Sequence, residues 1–168
     1  MSESRAAVVL IGAPGAGKTR TGKRLARLLD LPLIDTDARV VAAHGPIATI
    51  FDELGETQFR AWEREAVASA LGERAIVTLG GGAVLDAATR ADLEGLPVVQ
   101  LTISADVVES RIAGGKRPLL RDGIGAWQAI VEARQPIYDS LSSLTIDTSH
   151  IPLDTVAERI VGWLETRA

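Results

Sequence analysis

The chain has 168 residues, 46% of them hydrophobic and 24% charged, with a formal net charge of −4 and no cysteine. That suits one domain with a sizeable core, and the acidic balance argues against binding nucleic acid through a broad basic face. A disulfide framework and thiolate metal or redox chemistry are excluded, two isolated histidines are a poor basis for a metal site, and no apolar run is long enough to cross a membrane.

In chain order, Met1-Ser2-Glu3-Ser4-Arg5 lacks the layout of a secretory leader, so a cytoplasmic location is expected. Ala6-Ala7-Val8-Val9-Leu10-Ile11 reads as a buried strand, and Leu25, Leu28 and Leu29 repeat at helical spacing further on. Between them lies Gly12-Ala13-Pro14-Gly15-Ala16-Gly17-Lys18-Thr19, a complete G-x-x-x-x-G-K-[ST] phosphate-binding loop. Its glycines let successive backbone N–H groups converge on phosphate oxygens, and the next helix presents its positive N-terminus. Lys18 is placed to reach the β- and γ-phosphates of a nucleoside triphosphate, and the Thr19 hydroxyl to ligate Mg²⁺. The only metal expected is the one that arrives with the nucleotide.

Leu31-Pro32-Leu33-Ile34 leads into Asp35-Thr36-Asp37, two carboxylates leaving a strand end with alternating direction. They could serve metal and substrate separately, or one could cap a helix beginning near Ala38; beside a phosphate loop the first reading is preferred. A helix then carries Phe59, Trp62, Ala66 and Ala70 on its apolar face, with Arg60 and Glu63 three apart. An Arg held by Glu presents a rigid fork to a carboxylate, although the same pair also fits a plain surface ion pair.

Ala75-Ile76-Val77-Thr78-Leu79 ends in Gly80-Gly81-Gly82, where a strand with a metal-binding Asp is common in phosphate-loop proteins. Only backbone can approach a ligand there, so metal support must come from elsewhere, with Asp35 the nearest candidate. The stretch from Gly114 to Gly123, containing Arg117-Pro118-Leu119-Leu120, interrupts a helical pattern between glycines and reads as a mobile lid. Arg117 could close over transferring phosphate, and Arg134, before Pro136 and Tyr138, could bind an acidic substrate; either could equally be solvated. His44 and His150 receive no catalytic role, and Trp62, Trp127 and Trp163 read as core residues.

Apolar runs ending near Ile11, Asp35, Leu79, Thr102 and Asp147 alternate with helical patterns. The predicted fold is α/β, a five-stranded parallel sheet with helices on both faces, its ligands gathered beyond the carboxyl ends of the strands.

The phosphate loop, Asp35-Thr36-Asp37, Phe59-Arg60-x-x-Glu63, the triple glycine, Arg117-Pro-Leu-Leu and Arg134 before Pro-x-Tyr together resemble the shikimate kinase family in order and spacing over almost the whole chain. The resemblance implies a single phosphate-loop kinase domain over 1–168, with a helical substrate-binding segment at about 35–63 and a lid at about 113–125. It further implies transfer of phosphate from ATP to the 3-hydroxyl of shikimate, leaving ADP. A single small domain with its site at one edge makes a monomer the default expectation, and the acidic charge and the lack of a long apolar run give no expectation of nucleic-acid or membrane partners. Carried onto this chain, Asp37 would hold the shikimate hydroxyls and serve as candidate base, Arg60 and Arg134 would bind the carboxylate, and Gly81 and Gly82 would offer backbone contacts. Arg117 would come onto phosphate, Thr19 would ligate Mg²⁺, Asp35 would support that ion through water, and Arg111 resembles the family's adenine-stacking Arg. The chain departs from the family where His150 occupies a position that tends to carry Gln or Asn. Weighed beside this reading are a kinase of another hydroxylated acid such as gluconate, a nucleoside monophosphate kinase, and a nucleotide-binding regulatory module without phosphotransfer.

Overall fold

The computed structural model describes residues 5–113 and 123–167. Arg117 and most of the expected lid lie outside the described residues. Five parallel strands, β1 (Val8–Gly12), β2 (Leu33–Asp35), β3 (Ile76–Thr78), β4 (Val98–Thr102) and β5 (Leu144–Asp147), form one sheet in the order β2-β3-β1-β4-β5. Each ends within one residue of the position expected from its apolar run. Strand order reverses on either side of β1, so the chain leaving Gly12 opens into the crevice where ligands of such sheets collect.

The two-residue period of β1 divides the core. Val8 and Leu10 face one layer, built from Leu25 of α1 (Lys18–Leu29), Val108 of α6 (Ala105–Ala113), Trp127 of α7 (Gly123–Leu141) and Val156 and Ile160 of α8 (Leu153–Arg167). Val9 and Ile11 face the other, with Val67, Ala70 and Leu71 of α4 (Glu56–Leu71), Leu93 just after α5 (Ala87–Asp92), and Tyr138. A strand buried on both faces must be apolar throughout, as β1 is, and each fully buried Val, Leu or Ile contributes about 1.5–3 kcal/mol.

A smaller cluster joins α2 (Thr36–His44), α3 (Ile47–Leu54) and α4 through Val40, Ile50 and Phe59. Gly45-Pro46 separates α2 from α3, the proline fixing the entry of the second helix. All three tryptophans pack on the core clusters as expected: Trp127 is buried, and Trp163 and Trp62 are partly buried, Trp62 also stacking on the His44 ring at a centroid distance of 3.6 Å. The buried residues of α4 are Phe59, Glu63, Val67, Ala70 and Leu71, with Trp62 and Ala66 of the stripe read from the sequence partly buried beside them.

Candidate active site

At the end of β1, a side chain on Gly12 would collide with the Leu101 carbonyl of β4, and Gly15 and Gly17 hold φ of 91° and 90°, a region that glycine enters without penalty. The loop therefore curls tightly onto the N-terminus of α1. Lys18 Nζ donates to the Gly12 and Ala13 carbonyls at 2.6 and 3.2 Å, folded across the loop it serves. The Thr19 hydroxyl donates to Asp35 Oδ2 at 3.1 Å, while Asp35 Oδ1 accepts from the Ala38 N–H at 3.2 Å. Asp35 thus caps α2 and faces Thr19 at once, so the two readings of this residue are compatible. The helix it caps begins at Thr36 rather than near Ala38.

Asp37, in the first turn of α2, points across the cleft toward Gly80. Its Oδ1 is buried and has no hydrogen-bond partner among the described residues. Burial raises its pKa above the ordinary carboxylate range and the nearby Asp35 adds to this, against a smaller opposing pull from Lys18 and Arg60.

The triple glycine serves these side chains. A Cβ on Gly80 would lie 2.6 Å from Asp37 Oδ1, one on Gly82 2.6 Å from both terminal nitrogens of Arg60, and one on Gly81 3.2 Å from Arg134 Nη1. Three polar side chains converge on space that any other residue would fill. The sequence suggested that these glycines bare their backbone to ligand; their missing side chains also admit Asp37, Arg60 and Arg134. The Gly81 carbonyl accepts from the Tyr138 hydroxyl at 2.7 Å, and burial pushes that hydroxyl's pKa up, so it stays a protonated donor.

Arg60 donates from Nη1 to Glu63 Oε1 at 2.7 Å. This is not a solvated surface pair, because the Glu63 side chain is only 5% exposed. Burial raises the Glu63 pKa and the hydrogen bond from Arg60 opposes the rise. Phe51, Phe59, Ile130 and Trp127 supply apolar walls to the cleft that holds Asp37, Arg60, Glu63 and Arg134. It adjoins the phosphate-loop cleft, sharing Pro14, Asp37, Gly80 and Gly81 with it.

On the other side of the loop, Arg111, Thr148, Ile151 and Val156 line a separate hollow with Ala16, Gly17 and Thr21. Arg111 Nη1 donates to the Gly15 carbonyl at 2.9 Å. His150 is exposed to solvent. The described structure thus brings together Gly12, Pro14, Gly15, Ala16, Gly17, Lys18, Thr19, Asp35, Asp37, Arg60, Gly81, Gly82, Arg111 and Arg134, while Arg117 falls outside it. Sequence reasoning missed the contributions of Tyr138, Trp127 and Thr148, whose hydrogen bonds reach Gly81, Pro14 and Ala16. Tyr138 belonged to a quoted motif, but the other two carried no local signal.

Among the described residues no group of three or more His, Asp or Glu could hold a metal by itself. A hydroxyl and a carboxylate, Thr19 and Asp35, fit Mg²⁺ instead, which keeps several waters and shares its shell with substrate phosphates.

Comparison with known proteins gives a consistent picture. The family model for shikimate kinase matches residues 14–165. A shikimate kinase of Thermobifida fusca (strain YX) is 46% identical over 165 residues, covering 96% of each chain. One from Frankia casuarinae is 43% identical over 161 residues, covering 94% of this chain and 72% of that one. Among solved structures, shikimate kinase from Acinetobacter baumannii in complex with shikimate superposes with a TM-score of 0.88 at 28% identity, covering 97% of this chain and 94% of that one.

Proposed function

The chain belongs to the shikimate kinase family, and we propose that it transfers the γ-phosphoryl group of ATP to the 3-hydroxyl of shikimate, giving shikimate 3-phosphate and ADP. The observation that carries this reading is the acceptor cleft. It joins a carboxylate whose inner oxygen has no partner among the described residues, two guanidinium groups and apolar flanks, next to a phosphate loop. A hydroxylated ring acid matches that set. Its carboxylate pairs with Arg60 and Arg134, its ring lies between Phe51, Phe59 and Ile130, and its hydroxyls approach Asp37 Oδ1.

Phosphoryl transfer depends chiefly on alignment and charge stabilisation. Glu63 fixes the Arg60 fork, so the acid's ring is held in one orientation with a hydroxyl at Asp37. The proton on that hydroxyl passes to the Asp37 carboxylate as the oxygen bonds to the γ-phosphorus and the β–γ bridging bond breaks. A raised pKa suits Asp37 to accept a proton in a site that also carries Lys18. Loop N–H groups and Lys18 offset charge on the phosphates. Thr19, and Asp35 through water, would hold Mg²⁺, which would supply further neutralisation of the phosphate charge. Arg111, beside the loop, is assigned to the adenine side.

Among the described residues no helix is long and apolar enough to cross a membrane. A cytoplasmic monomer acting on freely diffusing substrates accords with this reading. Coupled ADP release with Mg·ATP and shikimate, gluconate, AMP or no acceptor tests it. Turnover with shikimate alone is the expected result. Turnover with gluconate or AMP instead, or ATP binding without turnover, would overturn it.

A further inference from the structure

Three consecutive carbonyls of the phosphate loop accept hydrogen bonds from three separate parts of the fold. Trp127 Nε1 in α7 donates to Pro14 at 2.8 Å, Arg111 Nη1 in α6 to Gly15 at 2.9 Å, and Thr148 Oγ1, just after β5, to Ala16 at 2.9 Å. A trans peptide is planar, with its C=O and the following N–H pointing to opposite sides. Fixing the Pro14 and Ala16 carbonyls outward therefore fixes the N–H groups of Gly15 and Gly17 toward the nucleotide cleft that both glycines line. The intervening N–H, of Ala16, is spent within the loop on the Ala13 carbonyl at 3.2 Å.

We infer that Trp127 and Thr148 are positioning residues for the nucleotide phosphates. They act at a distance from the ligand, by holding the two glycine N–H donors on either side of Ala16 in the orientation that phosphate requires. Trp127 is suited to this because its ring is 4% exposed and cannot drift, so its one donor has one direction. Thr148 shares its single hydroxyl proton between Ala16 and the Thr102 carbonyl at 3.0 Å, tying the loop to the end of β4. A glycine-rich loop without such anchors would have to order itself when the nucleotide arrives, at a cost in affinity and alignment.

The inference rests on the kinase reading only in taking a nucleoside phosphate as the ligand. Its test is the dissociation constant of Mg·ADP, measured by calorimetry without acceptor, for Trp127→Phe and Thr148→Val. Thr148→Val keeps its bulk and loses the donor, whereas Trp127→Phe loses the donor together with part of the buried ring volume, so a thermal melt accompanies it. Both should weaken Mg·ADP roughly three- to tenfold, the range of one neutral hydrogen bond, and lower kcat by a similar factor. In Thr148→Val, far from the acceptor cleft, the acceptor KM should stay within twofold. A purely structural role would lower the active fraction and leave the Mg·ADP constant of the folded fraction unchanged, and that result in both variants overturns the inference. In the parent protein, the Trp127 indole proton should exchange with solvent far more slowly than a free indole and shift when Mg·ADP binds; exchange at the free rate also overturns it. Weakened Mg·ADP in the variants of a protein that does not phosphorylate shikimate would sink the acceptor assignment while sustaining the anchors.

Discussion

Replacing Gly82 with alanine separates acceptor recognition from folding. The added methyl would sit 2.6 Å from both terminal nitrogens of Arg60 and 2.9 Å from its Cζ. Ordinary non-bonded separations are about 3.5 Å or more, so the guanidinium must withdraw by roughly 0.9 Å. It is the far end of a flexible side chain, and the Arg60 side chain is 29% exposed, so it has somewhere to go. The stability cost should stay within about 1 kcal/mol, as for substitutions that need no backbone movement. Function should suffer more, because the shift swings the fork out of its 2.7 Å bond to Glu63 and away from the acceptor carboxylate. A charge-assisted hydrogen bond is worth about 1.5–3 kcal/mol, which predicts a rise in shikimate KM of roughly 10- to 100-fold with ATP KM little changed. Steady-state rates with each substrate varied at saturating partner, beside a thermal melt, measure this. A shikimate KM within twofold of the parent, in a variant that melts normally, would refute the argument that Gly82 makes room for a recognition arginine.

Asp37→Asn should lower kcat by at least about 100-fold with nucleotide affinity retained, and turnover within a few fold of the parent would remove Asp37 from the chemistry. The same variant should gain stability at neutral pH. The folded-state pKa of Asp37 is raised, so the parent's stability is full in acid and falls as pH rises through that value, whereas asparagine does not titrate. Melting parent and variant from pH 4 to 8 should show the two curves separating upward, and parallel curves would count against a strained carboxylate. Glu63→Gln keeps the shape beside Arg60 and removes the charge, so shikimate KM should rise about five- to tenfold with a smaller change in kcat; an unaltered KM would mean Arg60 needs no anchor. Asp35→Asn should raise the Mg²⁺ concentration giving half-maximal rate by about tenfold, read from a metal titration at fixed ATP, and an unmoved midpoint would take Asp35 out of the metal's surroundings.

Much of the architecture was legible because it is written in short-range pattern. Apolar runs located all five strand ends, and the fixed spacing of the phosphate loop located Lys18 and Thr19 at the start of α1. Asp35, named from the sequence as the nearest carboxylate to the loop, does meet Thr19, because α1 packs across β3 to the end of β2. What stayed hidden depends on contacts between distant residues. Arg60 and Glu63 at i and i+3 look the same whether the pair is wet or buried, and only the packing of α2 and α3 over α4 puts Glu63 inside. The stripe Phe59, Trp62, Ala66 does pack on the core, but it gave no sign that Glu63 and Val67 are buried more deeply than Trp62 and Ala66. The triple glycine read as a place for backbone contacts, since no local pattern says that Asp37, Arg60 and Arg134 arrive there from three other helical positions. Trp127 and Thr148 lie more than a hundred residues from the carbonyls they hold, beyond the reach of any periodicity.

The central claim concerns which oxygen receives the phosphate. Incubating the protein with equimolar Mg·ATP and shikimate and following the products by phosphorus NMR tests it most directly. The account predicts a new phosphomonoester resonance coupled to the proton on ring carbon 3, growing in step with ADP. Phosphate on another hydroxyl, or inorganic phosphate as the only new product, would contradict it.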